Sequence, residues 1–176
     1  MRAMRATLLI MTIAMLVSAC STKQVQVQPA ANLKTIGSSV ALDIHGKDVD
    51  PAVIEGLTRY LKAKLIIAGF DIDTNGTKGL QLRVDVYAFN PGNQALRLTV
   101  GFGAGRGALL YTARYVDLEG HVLAQMEGQE YFTGGEPHFQ TEYGLASTLM
   151  GPETVQSVLV QEAAKHIVEL ALGEKR

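Results

Sequence analysis

The feature that most restricts the fold is a run of residues in which apolar and polar side chains alternate without a break. The apolar positions are Leu80, Leu82, Val84, Val86 and Ala88, and the polar positions between them are Gln81, Arg83, Asp85 and Tyr87. An alternation with period two is typical of a β-strand that buries one face. The sequence therefore predicts a sheet with an apolar face that needs a covering layer and a polar face that is wet or docked to a partner.

Two longer segments carry apolar residues at helical spacing and can supply that covering layer. The first begins with Asp50 as N-cap and Pro51 at the first helical position, and it ends at Ala68, just before a Gly-Phe pair suited to a left-handed C-cap. The second begins at residues 151–153 and ends at Gly173. The apolar stripes are Val53, Ile54, Leu57, Tyr60, Leu61, Leu65 and Ala68 in the first helix and Val155, Val158, Leu159, Ala163, Ile167 and Leu170 in the second. Because both stripes need a sheet face to cover, we expect both helices on the same face.

Four further strands are predicted from apolar runs along the chain. They are residues 39–45, 70–73, 108–116 and 121–132, and the last two form a hairpin in which Gly120 takes a position with positive φ. The element order is β-α-β-β-β-β-α. This order predicts a single α/β (α+β) domain over residues 35–176: a two-layer sandwich with a mixed, mostly antiparallel sheet and two long helices on one face.

The first twenty residues are typical of a bacterial export signal. Arg2 and Arg5 precede a mostly apolar stretch, residues 6–17, that is shorter than the ~20 residues needed to span a bilayer. The next small residues and the cysteine resemble a lipobox; they are Val17, Ser18, Ala19 and Cys20. The resemblance implies that residues 1–19 are a signal peptide removed by cleavage before Cys20. It also implies lipidation of Cys20, through a diacylglyceryl thioether on its sulfur and an acylated amine, with fatty chains of the palmitate type.

Residues 20–34 are predicted to be the lipid-bearing cysteine followed by a flexible tether, because the segment is polar, rich in Gln and weakly patterned. Several acyl chains anchor a protein stably, since each buried CH₂ contributes roughly 0.8 kcal/mol. Ser21 follows the cysteine, and in enterobacterial lipoproteins this residue implies delivery to the outer membrane. We therefore expect the protein at the periplasmic face of the outer membrane. The inner membrane stays an alternative, because the sorting rule varies between bacteria.

Composition excludes several classes of function. A formal net charge of −1 provides no global basic field for nucleic acid, and a single cysteine excludes a disulfide framework and a Cys-based zinc site. The four histidines, His45, His121, His138 and His166, lack the spacing of metal-ligand pairs, and no serine lies in a G-x-S-x-G motif. We therefore expect no catalytic residues, no metal and no cofactor, and we predict that the protein is not an enzyme.

The glycine-rich run Gly101–Gly107 is the most conspicuous motif in the chain. Its match to a dinucleotide fingerprint consists of Gly103, Gly105 and Ala108. That fingerprint requires a buried strand before it and a helix after it. The preceding segment, Leu96–Val100, is predicted to be only a short strand with an Arg in it, and the aromatic and β-branched residues after the run favour another strand. A bound nucleotide is therefore not expected.

Three interpretations of the run remain. The favoured one is a bend or bulge that lies close to another backbone, where a side chain would not fit. A glycine-zipper membrane segment is the second, although the stretch is far shorter than a membrane span. In the third, the run is a candidate partner-docking loop formed by Gly101, Phe102, Gly103, Gly105, Arg106 and Gly107. Arg106 is the informative residue, because its planar guanidinium can bind a partner carboxylate or a lipid phosphate.

Three features of the sequence occur together in one known family. They are the lipobox, Asn90-Pro91-Gly92 before Arg97 and the glycine run, and the Asp117–Leu123 hairpin before a C-terminal amphipathic helix. In these features the chain resembles, over residues 35–172, the bacterial lipoproteins with domain of unknown function 4410 (DUF4410). The resemblance implies a lipoprotein of the cell envelope and supplies no activity or catalytic residue.

These observations favour a membrane-anchored envelope lipoprotein that acts as a non-enzymatic protein-binding or scaffolding module. Its partners would be the membrane, through the lipid anchor, and an envelope protein. The alternative is a periplasmic lipoprotein that binds a small ligand or a lipid between its helices and its sheet. A ligand that co-purifies with the protein would distinguish the alternative from the first interpretation.

Overall fold

The computed structural model describes residues 32–99, 105–132 and 151–173. A short 3₁₀ helix at Leu33–Thr35 precedes the domain. The strands are β1 (Ser39–Gly46), β2 (Asp71–Ile72), β3 (Leu80–Asn90), β4 (Gly107–Val116) and β5 (Val122–Phe132), and the helices are α1 (Pro51–Ile67), α2 (Gln94–Thr99) and α3 (Pro152–Leu172). The predicted α/β (α+β) sandwich is confirmed.

The five strands form one sheet in the order β2-β1-β3-β4-β5. β1 pairs parallel with β2 and with β3, whereas β3 pairs antiparallel with β4, and β4 with β5. The two antiparallel ladders are the longest, so the sheet is mixed and mostly antiparallel, as predicted. The parallel pairing of β1 with β3 requires a crossover, which α1 provides.

The alternation in β3 sets the two faces of the sheet. Its apolar side chains are buried on the inner face at Leu80, Leu82, Val84 and Val86, and its polar side chains lie on the outer face. α1 and α3 contact each other and pack on the inner face, so the predicted arrangement of both long helices on one side is confirmed. Two polar contacts orient this layer: the Tyr115 hydroxyl donates to the Ile167 carbonyl (3.2 Å), and the Gln161 amide donates to the Tyr60 hydroxyl (2.9 Å).

Helix α1 has the predicted caps at both ends. The Asp50 carboxylate accepts a hydrogen bond from the Ala52 amide (2.9 Å), which is an N-cap contact. At the other end Gly69 has φ +82°, and the Phe70 amide donates to the carbonyl five residues back, as in a Schellman motif. Lys34 completes this end, because its ammonium donates to the Ala68 carbonyl (2.6 Å). The segment that enters the domain is thereby fastened to the C-terminal end of α1.

The predicted strand at Leu96–Val100 is wrong. The structure has helix α2 at Gln94–Thr99, and residue 100 lies outside the described ranges. The Asn93 side chain accepts a hydrogen bond from the Leu96 amide (3.1 Å) and caps the first turn. The helix contains Gln, Ala, Leu and Arg, which all have high helix propensity, and a short apolar run does not distinguish a strand from a helix by periodicity.

We expect Leu82→Ala or Leu159→Ala to lower the free energy of unfolding by roughly 2–5 kcal/mol, because both side chains are fully buried and their removal leaves a cavity. Gln81→Ala is the matched control next to Leu82, since the Gln81 side chain lies on the outer face. Urea denaturation of the three variants measures the difference. A larger loss in Gln81→Ala than in Leu82→Ala would contradict the assignment of the two faces.

Candidate partner-binding face

We define the outer face as the side of the sheet opposite α1 and α3. Ala41 and Val116 are buried on this face, but the side chains that form its surface are half-buried or exposed, and in the described ranges neither long helix covers them. They are Asp43 and His45 from β1, Gln81, Arg83, Asp85 and Tyr87 from β3, Leu110, Thr112 and Arg114 from β4, and Gln125, Glu127, Gln129 and Tyr131 from β5. The face therefore extends over four strands and combines charged, amide and aromatic groups.

Five charged or titratable groups on the outer face are paired with neighbours. Arg114 forms an ion pair with Asp85 across the β3–β4 ladder, and the Arg83 guanidinium donates to the Gln81 side-chain carbonyl (2.8 Å). His45 and Asp43 form a third pair on β1. Because these groups are partly or largely exposed, the pairs contribute little to folding stability. Their effect is to hold donors and acceptors in defined positions on the surface.

An aromatic corner lies at the end of this face, where β4 begins. The Arg106 guanidinium is stacked 4.3 Å from the centre of the Tyr131 ring, a cation–π contact. A second aromatic side chain of the outer face is Tyr87 on β3, which is 51 % exposed. Desolvation and the nearby charge of Glu127 raise the pKa of Tyr87, while a hydrogen bond with Thr112 partly offsets the increase. Tyr and Arg are the residues that most often dominate the energy of protein interfaces.

The described end of the glycine run is packed against the loop after β3. The Asn93 amide donates to the Gly105 carbonyl (2.9 Å), and Gly105 itself has φ +71°. A Cβ on Gly92 would lie 2.2 Å from that same carbonyl oxygen, and a Cβ on Gly107 would lie 2.7 Å from Val155 Cγ1. Close approach of the Gly105 backbone at Gly92, and of the Val155 side chain at Gly107, explains the need for glycine at these two positions.

The remaining site residues predicted from the sequence are Cys20, Gly101, Phe102, Gly103 and Arg106. Gly101, Phe102 and Gly103 of the candidate docking loop and the lipidation residue Cys20 are outside the described residues. Arg106 is exposed and stands beside the outer face through its contact with Tyr131. Arg106 is a site residue predicted from the sequence, whereas its contact with Tyr131 is not predicted there. No local signal could have linked the two, since strand register alone brings Tyr131 to the start of β4.

Tyr111, Glu130 and His166 form a largely buried polar cluster that the sequence pattern does not predict. The Tyr111 hydroxyl donates to Glu130 Oε1 (2.9 Å), and the same oxygen lies 2.7 Å from His166 Nδ1. Gly128 makes room for the Tyr111 ring, because a Cβ there would lie 2.0 Å from the ring. These contacts satisfy a largely buried carboxylate and connect α3 to β5. The cluster is explained by the packing of the helix on the sheet.

The β4–β5 turn brings Asp117, Glu119 and His121 together, with ligand atoms within 4.8 Å of one another. The His121 amide and ring both contact the Asp117 carboxylate, at 2.8 and 2.9 Å. The hydrogen bond and charge of Asp117 raise the pKa of His121. Gly120 has φ +89°, as the hairpin prediction requires. The contacts between Asp117 and His121 close the β4–β5 turn.

An open groove of about 860 Å³ lies between the end of β1 and the first turns of α1. Its apolar wall includes Ile44, Val49 and Ile54, and Arg59 and Lys62 are at its margin. The groove is at the edge of the helix–sheet sandwich. Between the layers of the described domain, the space is filled by large buried side chains, of which Phe70, Tyr111, Tyr115 and Phe132 are the bulkiest.

The fold and the outer face define a small α/β domain with an open, polar sheet surface. The chain belongs to the DUF4410 family, a domain of unknown function, whose model matches residues 23–135. No curated protein matches the sequence. In the described ranges, no helix is long and apolar enough to span a membrane.

Solved structures that match this chain include the following two. One is a dodecamer of PelC from Paraburkholderia phytofirmans, in a variant with a single substitution, with 13 % sequence identity and a TM-score of 0.55, over 86 % of this chain and 98 % of that one. The other is a DUF4136 family protein from Bacteroides thetaiotaomicron, with 13 % identity and a TM-score of 0.41, over 86 % of this chain and 97 % of that one. At this identity the likeness to PelC shows a shared fold.

We expect Gly107→Val to lower the melting temperature, because the new side chain would collide with Val155 and with the carbonyls of Asn90 and Pro91. Arg106→Ala should leave the melting temperature nearly unchanged, since the Arg106 side chain is exposed. Thermal unfolding followed by circular dichroism compares the two variants. Equal melting temperatures for Gly107→Val and the unsubstituted chain would contradict a packing role for this glycine.

Proposed function

We propose that this protein is a membrane-anchored envelope lipoprotein that binds a protein partner through the outer face of its sheet and has no enzymatic activity. The observation that carries the proposal is an open four-strand face that presents the exposed Tyr87 on β3 and, separately, the stacked pair of Arg106 and Tyr131 at the start of β4. In known interfaces, aromatic and Arg side chains supply most of the affinity, and surrounding polar groups supply specificity.

The anchor in this proposal is the lipid on Cys20, and the location is the periplasmic face of the outer membrane. The lipobox-like residues before Cys20 and Ser21 after it support both points. An extended residue reaches at most about 3.6 Å, so the eleven residues between Cys20 and Asn32 allow the domain to stand up to roughly 40 Å from the lipid. This reach is an upper limit, and at any separation within it the outer face can meet a partner in the periplasm.

The described interior favours a partner at the surface over a ligand between the layers. The inner face of the sheet is filled by buried side chains from both long helices, so a ligand there would have to displace core residues. The groove beside β1 is a concavity that could serve a small ligand. The groove is wide open, whereas small-molecule pockets usually bury most of the ligand surface.

A second copy of the chain is one partner that fits the proposal. The PelC structure with the same fold is a dodecamer, which supports testing whether this chain also assembles with itself. A homo-oligomer would be a scaffold in the sense proposed. The other partner that fits is a different envelope protein bound to the same face. The mass of the complex distinguishes it from a homo-oligomer, whose mass is a multiple of the mass of one chain.

The anchor is tested with Cys20→Ala. We expect loss of fatty-acid labelling and accumulation of the unprocessed precursor, because the acceptor sulfur is gone. Metabolic labelling with a palmitate analogue and intact mass measurement report both effects. Cys20→Ala protein that is labelled as strongly as the natural sequence would refute the lipobox assignment.

The partner face is tested with a photo-crosslinking amino acid at Tyr87, whose side chain is exposed on the outer face. We expect one reproducible adduct in intact cells, and we expect Arg106→Ala to weaken it if the glycine run helps to bind the partner. The matched control is the same crosslinker at Leu96, an exposed apolar residue of α2 that is not in a strand. Identical adducts from both positions, or none from either, would contradict the proposal.

A further inference from the structure

Exposed large apolar side chains are concentrated at one end of the domain. In the described residues, seven such side chains are more than about two-fifths exposed, and five of them are Ile36 (55 %), Ile66 (59 %), Ile67 (84 %), Leu118 (59 %) and Val122 (47 %). The other two are Tyr87, on the outer face, and Leu96, on α2. Single exposed apolar residues are ordinary, but a shared location of five is a feature that needs an explanation.

Strand register shows that these five residues lie at the same end. Ser39, at the start of β1, pairs with Asp71, and Gln81, near the start of β3, pairs with Val116 at the end of β4. The C-terminal end of α1, the start of β1 and the β4–β5 turn therefore lie at the same end of the strands. Ile36 precedes β1, Ile66 and Ile67 end α1, and Leu118 and Val122 belong to or adjoin the turn.

This end is also where the chain enters the domain from Cys20. The Lys34 ammonium is bonded to the Ala68 carbonyl at the C-terminal end of α1, so the entering segment is fixed next to Ile66 and Ile67. We call this end of the domain, with its five apolar residues, the tether end. We propose that the tether end rests on the lipid bilayer and that its five apolar side chains enter the interface. The proposal rests on the lipid anchor proposed above.

The arrangement fits a flat lipid surface better than a compact protein site. α1 contacts β1 and β2 at one side of the sheet, whereas the β4–β5 turn lies at the other side, so the five residues are spread across the width of the domain. The flat surface of a bilayer can contact all five side chains at once, although they are far apart across the domain. The outer face is then directed sideways, parallel to the membrane, and remains open for a protein partner.

Charge at this end does not favour attraction to anionic lipids. Lys34, Lys64 and Lys78 are accompanied by Asp71, Asp73, Asp117 and Glu119. The carboxylates and ammonium groups are close to balance, so apolar contact has to supply the adhesion. We therefore expect contact with phosphatidylethanolamine as well as phosphatidylglycerol, and little change when the salt concentration is raised.

The experiment uses the full lipidated chain reconstituted into vesicles of phosphatidylethanolamine and phosphatidylglycerol that contain doxyl-labelled lipid as a quencher. Cys20 is the single cysteine of the sequence, and it has no free thiol when acylated. Ile67→Cys and Leu118→Cys each add one thiol for an environment-sensitive fluorophore. Leu96→Cys is the matched control, because Leu96 is also an exposed apolar residue but lies on α2, away from the tether end.

We expect the probes at Ile67→Cys and Leu118→Cys to be quenched by doxyl lipid and blue-shifted, and the probe at Leu96→Cys to remain unquenched. Ile66→Gln combined with Ile36→Gln should reduce quenching at Leu118→Cys, because fewer apolar side chains hold the end on the bilayer. Equal quenching at all three positions, or none at any of them, would overturn the proposal. Crosslinking of Ile67→Cys to a protein in whole cells without lipid quenching would also overturn it.

Intact mass of the unsubstituted chain separates this test from the test of the anchor. A mass that includes acyl groups on Cys20 supports the anchor, whatever the quenching pattern shows. If Cys20 is not acylated, the anchor proposal fails, and the quenching experiment is then done in the Cys20→Ser background so that each introduced cysteine stays the single labelled site. Thermal unfolding of each variant confirms that the substitution has not unfolded the domain.

Discussion

Burial of the inner face of the sheet under α1 and α3 is the contact on which the other features of this domain depend. The two helices interlock through Tyr60, Ser157 and Gln161, and they cover apolar residues from β1, β3, β4 and β5 at once. Since nonpolar burial is the main favourable term in folding, this single layer stabilises the whole sheet. It also leaves the outer face of the sheet uncovered by α1 and α3, because the apolar stripes of both helices pack on the inner face.

The one-sided arrangement has two consequences for function. First, the opposite face of the sheet is left for water or a partner, and its charged groups pair with neighbours there, as Arg114 does with Asp85. Second, both helices end at the end of the sheet where β1 begins. The Lys34 ammonium bonds to Ala68 just after α1, and the Tyr115 hydroxyl near the end of β4 donates to Ile167 near the end of α3. The outer face and the tether end are therefore different surfaces of one small domain, so the two proposed contacts would not compete for the same residues.

The described part of the glycine run has a packing role. Its described end fits closely against the loop after β3, where the Asn93 amide and the Gly105 carbonyl are bonded and Gly107 lies against α3. This packing also places Arg106 over the Tyr131 ring, at the border of the outer face. A docking role for Arg106 therefore depends on the same backbone contacts that require glycine on either side of it.

Local patterns in the sequence determined the elements and their caps. The alternation in β3, the Asp50 cap and the Gly69–Phe70 end of α1 depend on neighbouring residues, so they could be predicted. Leu96–Val100 could not, because a short apolar run has no decisive period. Only tertiary structure decided which distant side chains meet: Arg106 with Tyr131, Glu130 with His166, and the apolar residues at the tether end. Those encounters depend on strand order and register, which sum many weak contacts between segments far apart in the chain.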